Sequence, residues 1–213
     1  MIQRSIPVLC YHDVGPQGGH SLERFRSHLD CIAALGFRTI PAARLLDIVS
    51  GRAEPEGREL VLTFDDGHAS AWFTIAPELQ ARGLTGTFFA CTDFVWDGPA
   101  RVAGEAPLPR PMPDCFRDAL TQRKYEHFIN SGEISAMLGM GLEVYGHGCR
   151  HQGCFRTPDP GPALGNPKAR WPAWGIFPEP DPAAPTFAEG SAYVYDGWWK
   201  QPWWRQQIGR AHV

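Results

Sequence analysis

The sequence lacks the features that define nucleic-acid-binding proteins, membrane-spanning proteins and proteins held together by disulfides or Cys-bound zinc. Its 20 Lys and Arg residues are outnumbered by 23 Asp and Glu residues, so no basic excess is available to collect phosphates. No apolar run reaches the length of a transmembrane helix. The six cysteines show no C-x-x-C spacing, and we expect most of them to be small buried hydrophobes. We therefore expect no nucleic-acid partner and no membrane span.

The N-terminus also lacks a long apolar stretch followed by small residues, which is the pattern of a secretory leader. A cytoplasmic location is the expectation for the sequence as written. A secreted or periplasmic form from which the leader had been removed would have the same sequence, so that alternative stays open.

The first 92 residues alternate short β-branched or aromatic runs with segments of helical period. This alternation is typical of an α/β protein with a parallel sheet. The run "ELVLTF" (59–64) predicts a buried strand, and "SLERFRSHLDCIAALG" (21–36) predicts a helix. Further along, "SGEISAMLGMG" (131–141) predicts a helix with Ser131 as its N-cap, and "LEVYGH" predicts another strand.

Two Pro-rich segments interrupt this pattern. Residues from about 95 to 115 predict a long surface loop, and residues from about 152 to 213 predict an irregular tail rich in Pro and Trp. The tail's tryptophans could stack on sugar rings or pack in a core or partner surface. A chain of 213 residues with 43% hydrophobic content can bury one sizeable core, so we expect a single domain over residues 1–213.

Two adjacent carboxylates, Asp65 and Asp66, follow the strand "ELVLTF" and precede Gly67. In parallel sheets, binding and catalytic groups collect at the carboxyl ends of the strands. Asp-Gly is also a common turn pair, and Asp is a good N-cap for a following helix. Taken alone, the pair is therefore more often a turn than a site.

Three histidines also follow predicted strands. His147 and His151 lie four residues apart in "EVYGHGCRH", and His12 ends the first strand in "VLCYHDV". An isolated H-x-x-x-H is about as often two unrelated surface histidines, but a histidine pair with a carboxylate suits zinc or another divalent first-row metal. If the strands are parallel, these histidines and the Asp65/Asp66 pair gather at one edge of the sheet. The ligand types favour Zn and also allow Co, Ni, Mn or Fe.

The motifs "TFDDG" and "HGCRH" resemble those of the polysaccharide deacetylase family, the NodB-homology carbohydrate esterases of family four, over roughly residues 5–152. The resemblance implies a distorted or incomplete (β/α) barrel with parallel strands. It also implies a metal-dependent hydrolase that removes N-acetyl groups from an N-acetylated sugar or polysaccharide. By the same resemblance, Asp65 is the general base, and Asp66, His147 and His151 bind one divalent metal, which we expect to be zinc.

The family's catalytic acid is a histidine of an L-x-H-D motif that usually lies near the C-terminus. Here the match is "LCYHD" in the first strand, whereas the C-terminal "RAHV" lacks the apolar run and the aspartate. The first and last strands of a closed or nearly closed barrel are neighbours, so moving this strand to the N-terminus can preserve the site. We expect His12 to be the acid, in the circularly permuted order that some family members resemble.

Two positions depart from the family pattern. Gly148 stands where Ser or Thr is expected, so a hydrogen bond that would hold the ligand loop is missing. The segment "ARWPAWG" is a loose counterpart of the family's arginine motif, which makes Arg170 the candidate substrate-binding arginine that orients the aspartate base.

Two other functions are compatible with the same residues. Some relatives of this fold resemble cyclic-amide hydrolases that act on small rings, although the beginning "YHD" favours the polysaccharide-acting branch. A non-catalytic carbohydrate-binding protein could keep the fold, although the complete set of acid, base and ligands favours an enzyme. The expected partner is an N-acetylated carbohydrate, and the sequence leaves the sugar and the oligomeric state open.

Overall fold

A computed structural model describes residues 5–16 and 19–151. Strands and helices alternate up to residue 90, as the sequence predicts. The strands are β1 (Val8–Tyr11), β2 (Arg38–Thr39), β3 (Glu59–Phe64), β4 (Thr87–Ala90) and β5 (Glu143–Gly146). The α-helices are α1 (Leu22–Ala34), α2 (Ala42–Val49), α3 (Ala76–Ala81), α4 (Met112–Gln122) and α5 (Ser131–Gly139).

These five strands form one parallel sheet in which β3 pairs with three of the others. The order is β1-β3-β4-β5, and β2 pairs with the beginning of β3. Tyr11 is in register with Phe64, and Phe64 with Phe88. Within the described part of the chain the sheet is open, which agrees with the expected incomplete barrel. Because every pairing is parallel, the carboxyl ends of β1, β3, β4 and β5 lie at one edge.

Aromatic side chains from adjacent strands form the centre of the core. Phe64 stacks on Phe88 with ring centroids 4.7 Å apart, and Tyr11 stacks on Phe64 at 5.7 Å. Helix α1 covers them with Phe25 and Leu29, which are fully buried as its helical period predicts. Fully burying a side chain of this size typically contributes about 1.5–3 kcal/mol. This packing fixes the ends of β1 and β3 beside each other.

The segment expected to be a long loop contains the beginning of a helix. Helix α4 starts at Met112, with Pro113 in its first turn, and buries Cys115, Phe116 and Ala119. A proline in the first turn removes no helical hydrogen bond, so the Pro-rich composition that predicted a loop is compatible with a helix start.

Two smaller predictions were also wrong. The N-cap of α5 is Asn130, one residue before Ser131, because the Asn130 side chain accepts from the Glu133 N–H while the Glu133 carboxylate accepts from the Asn130 N–H. Among the described cysteines, only Cys91 and Cys115 are buried.

No helix in the described ranges is long and apolar enough to cross a membrane. Arg170 and the Trp-rich tail lie outside the described residues, so the predictions made for them stay predictions.

Candidate metal centre and active site

A tight turn at the end of β3 separates the two adjacent aspartates. Asp66 and Gly67 both have positive φ angles, 74° and 72°. A Cβ atom on Gly67 would lie 2.8 Å from the Ala90 Cβ, so only glycine lets the turn pack against the end of β4. The Ile129 N–H donates to the Gly67 carbonyl at 2.9 Å. A positive φ is uncommon for aspartate, and here it turns Asp66 inward while Asp65 stays partly exposed.

The Asp66 carboxylate is buried beside two imidazoles. Its Oδ1 lies 3.5 Å from the His147 Nε2 and 3.3 Å from the His151 Nε2. Neither carboxylate oxygen has a hydrogen-bond partner among the described residues. One ligand atom from each of the three residues lies within 4.8 Å of the other two. A buried carboxylate without hydrogen bonds is costly, whereas one carboxylate and two imidazoles fit a zinc-like cation that leaves a coordination position open.

The histidines reach this position from the end of β5. The His147 N–H donates to the Ala90 carbonyl at 2.7 Å, which continues the β4-β5 ladder past Gly146. His151 has a positive φ of 52°, four residues later. The carbonyl of Gly148 accepts from the Thr92 N–H at 3.0 Å, so the backbone of the ligand loop is held by the segment after β4.

The surroundings of Asp66 also favour a cation. Burial raises the pKa of Asp66 to about 7; the nearby His12 opposes this shift, and the carboxylates of Asp65 and Asp13 add to it. The carboxyl group is therefore only partly ionised at neutral pH unless a positive charge is near it. A bound divalent ion would supply that charge.

Asp65 and His12 lie next to this group. Tyr11 and Phe64 are in register, so the residues that follow them are neighbours at the ends of β1 and β3. Ligand atoms of His12, Asp65 and Cys10 lie within 4.8 Å of one another. The Asp65 Oδ2 is 3.9 Å from the His147 Nε2. The structure thus brings together all five described residues that the sequence singled out.

A cavity of about 250 Å³ opens beside these groups. Its lining includes His12, Asp66, Tyr11, His20 and Met112, the first residue of α4. Sequence reasoning did not single out Cys10, which also lines this cavity. The alternation of β1 was the available signal, because residues 10 and 12 of a strand point to the same face.

The fold and these residues define a parallel α/β protein with a metal-competent centre at the carboxyl edge of its sheet. A family model described as polysaccharide deacetylase matches residues 52–164, which are 113 of the 213 residues. The chain belongs to the polysaccharide deacetylase family. A search of curated proteins finds no match.

Several solved structures resemble this chain, among them the following three. The Streptococcus pyogenes deacetylase PplD in complex with acetate is 16% identical, with a TM-score of 0.51 over 68% of this chain and 57% of that one. The BpsB deacetylase domain from Bordetella bronchiseptica is 20% identical, with a TM-score of 0.50 over 72% and 59%. IcaB from Ammonifex degensii is 23% identical, with a TM-score of 0.49 over 65% and 51%. This chain spans between half and three fifths of those structures. The likeness to PplD and BpsB establishes the fold.

Proposed function

We propose that this protein is a metal-dependent hydrolase that removes N-acetyl groups from an N-acetylated sugar or polysaccharide. One observation carries this function: the buried Asp66 carboxylate lacks a hydrogen-bond partner among the described residues and lies within 3.5 Å of two imidazole nitrogens. Membership of the polysaccharide deacetylase family supports the substrate class. The PplD structure was solved with acetate, the acid that this reaction would release.

In this proposal Asp66, His147 and His151 bind one divalent metal. Zinc suits two imidazoles and a carboxylate, and Co, Ni, Mn or Fe can use the same ligands. When bound, such a metal polarises the acetamide carbonyl and lowers the pKa of a water molecule. The buried side of the site excludes bulk water, which strengthens the interaction between the carboxylate and the cation.

Asp65 is the proposed general base. Its carboxylate is 3.9 Å from the His147 ring and partly exposed, so it lies beside the proposed ligands and is accessible to water. Asp65 takes a proton from the attacking water as the new C–O bond forms at the acetamide carbon. Asp66 cannot do this work in the same complex, because its oxygens are committed to the cation.

His12 is the proposed general acid. It lies at the end of β1, within reach of the Asp65 carboxylate and in the lining of the same cavity. His12 delivers a proton to the amide nitrogen as the C–N bond breaks, so the sugar leaves as a free amine and acetate remains. Proton transfer of this kind typically contributes about 10²- to 10⁴-fold in rate. The parallel pairing of β1 with β3 supports the circularly permuted order, which stays a prediction.

Acetate release from an N-acetylglucosamine oligomer tests this function. We expect release by the zinc- or cobalt-loaded protein, loss on treatment with a chelator, and recovery when the metal is returned. Asp65→Asn should keep the metal and lose at least about 10²-fold in turnover. Asp47→Asn, an exposed carboxylate on α2, is the matched control and should behave as wild type.

Several outcomes would contradict the proposal. Turnover that survives complete metal removal would refute metal dependence, and near-normal turnover in Asp65→Asn would remove Asp65 from the role of base. Oligosaccharide binding without any acetate release would favour the non-catalytic carbohydrate-binding alternative.

A further inference from the structure

The structure contains a second cluster of side chains that can bind a metal, and none of its residues takes part in the proposed deacetylase chemistry. Ligand atoms of His68, Cys115 and His127 lie within 4.8 Å of one another. They come from three segments: the turn after β3, helix α4, and the stretch that precedes α5. Cys115 is fully buried and His127 is 5% exposed. Two imidazoles and a thiol form a ligand set that suits zinc and cobalt.

The two ring nitrogens of His68 have different surroundings. The Nδ1 atom accepts from the Ser70 N–H at 3.1 Å and lies 2.9 Å from the Ser70 Oγ, which in turn accepts from the Val14 N–H at 3.2 Å. The Nε2 atom is buried and has no hydrogen-bond partner in the described part of the chain. The Ser70 N–H contact places the proton of the metal-free ring on Nε2, so metal binding at Nε2 requires that proton to leave and Nδ1 to become protonated and donate to the Ser70 Oγ. Metal-binding histidines typically donate through their other ring nitrogen to a fixed oxygen, and the Ser70 Oγ lies within reach for that role.

A cavity next to these residues is large enough for a metal ion and has a carboxylate in its lining. It measures about 150 Å³, and its lining includes His68, His127 and the carboxylate-bearing Asp13. Arg110 also lines it, but its guanidinium is paired with Asp118, which offsets the positive charge. The Cys115 Sγ has only a long 3.9 Å contact with the Arg110 carbonyl, which is a weak hydrogen bond that a metal bond would readily replace.

We propose that His68, Cys115 and His127 form a second, thiolate-containing site for a divalent metal such as zinc or cobalt. His68 binds through Nε2, Cys115 through Sγ after its thiol proton passes to solvent, and His127 through a ring nitrogen. A water molecule or Asp13 completes the coordination. The bound ion joins the turn after β3 to α4 and to the segment before α5. This inference rests on the geometry of these residues and is independent of the proposed deacetylase function.

Cobalt titration of the full chain tests this site. The His147→Ala variant is the background, because it removes a proposed ligand of the first site. We expect this variant, freed of metal by a chelator, to bind about one equivalent of Co²⁺ with thiolate-to-cobalt charge-transfer absorption in the near ultraviolet. Adding Cys115→Ser should abolish the absorption, and adding Cys91→Ser should not. Cys91 is the matched control because it is buried in the same apolar cluster and lies outside the site.

Two further variants keep the outcome unambiguous. Cys10→Ser should retain the absorption; if it alone abolishes the signal, the thiolate belongs to the cluster of Cys10, His12 and Asp65 and the proposal is overturned. His127→Ala should weaken cobalt binding without removing a thiol, so it serves if Cys115→Ser fails to give a native circular dichroism spectrum. An absence of charge-transfer absorption in the His147→Ala background would also overturn the proposal, whether or not the protein releases acetate.

Discussion

Replacing Gly67 with alanine perturbs the turn that orients Asp66. Gly67 has a φ of 72°, and a Cβ atom built there would lie 2.8 Å from the Ala90 Cβ and 3.0 Å from the Ala90 Cα. The second contact is with the backbone of β4, so a side-chain rotation cannot relieve it. Either β4 or the turn must move, and the turn carries the buried carboxylate.

The expected cost has two parts. A left-handed backbone conformation costs a residue with a Cβ atom about 1–2 kcal/mol, and forcing a methyl group into a packed site typically costs about 1–3 kcal/mol more. Gly67→Ala should therefore lower the free energy of unfolding by about 2–5 kcal/mol. Gly83→Ala is the matched control, because Gly83 has a φ of 63° and a Cβ atom there would have no heavy atom within 4 Å. Gly83→Ala should lower the free energy of unfolding only by the cost of the left-handed conformation, about 1–2 kcal/mol.

Guanidinium unfolding of metal-free protein measures both changes on the same scale. Gly67→Ala should also bind zinc more weakly than wild type, whereas Gly83→Ala should bind it normally. Equal losses of stability in the two variants would refute the close approach of Gly67 to β4. A large loss of stability with unchanged zinc affinity would refute the link between this turn and Asp66.

Further predictions concern the buried charges. The pKa of Asp66 is about 7 in the folded protein and lower when unfolded, so metal-free stability should fall as pH rises from about 4 to about 7. Asp66→Asn should remove most of that slope in unfolding experiments at several pH values. Arg101→Ala should cost about 3–5 kcal/mol, because it leaves the buried Glu133 carboxylate without its cation. Arg101→Ala/Glu133→Gln should recover part of this loss in a double-mutant cycle. The exposed Arg52–Asp47 pair should be worth under about 1 kcal/mol by the same test.

The sequence predicts both ends of β3 correctly, because most of its residues are apolar, as expected of a strand buried on both faces. The gathering of His12, the aspartates and the histidine pair also follows from the sequence, since strand ends in a parallel sheet share one edge. The inward turn of Asp66 does not follow. It depends on positive φ angles and on how closely Gly67 approaches β4, which are properties of the packed structure.

The start of helix α4 and the cluster of His68, Cys115 and His127 could not be predicted from the sequence either. The Pro-rich composition around residues 107–113 predicts a loop. Composition alone does not separate a proline in a loop from a proline in the first turn of a helix, where it is equally well tolerated. Cys115 and His68 are 47 positions apart in the chain and become neighbours only after α4 packs beside the turn that follows β3. No local spacing motif could have joined them.

The metal content of wild type and His147→Ala, measured by elemental analysis together with acetate release, tests the central claim most directly. We expect the variant to hold about one equivalent less than wild type and to release no acetate, because a three-ligand site does not survive the loss of an imidazole. His28→Ala, which removes a histidine bonded to the Tyr11 hydroxyl, is the control and should keep its metal. Equal metal content in His147→Ala and wild type would contradict the assignment of Asp66, His147 and His151 as the metal centre.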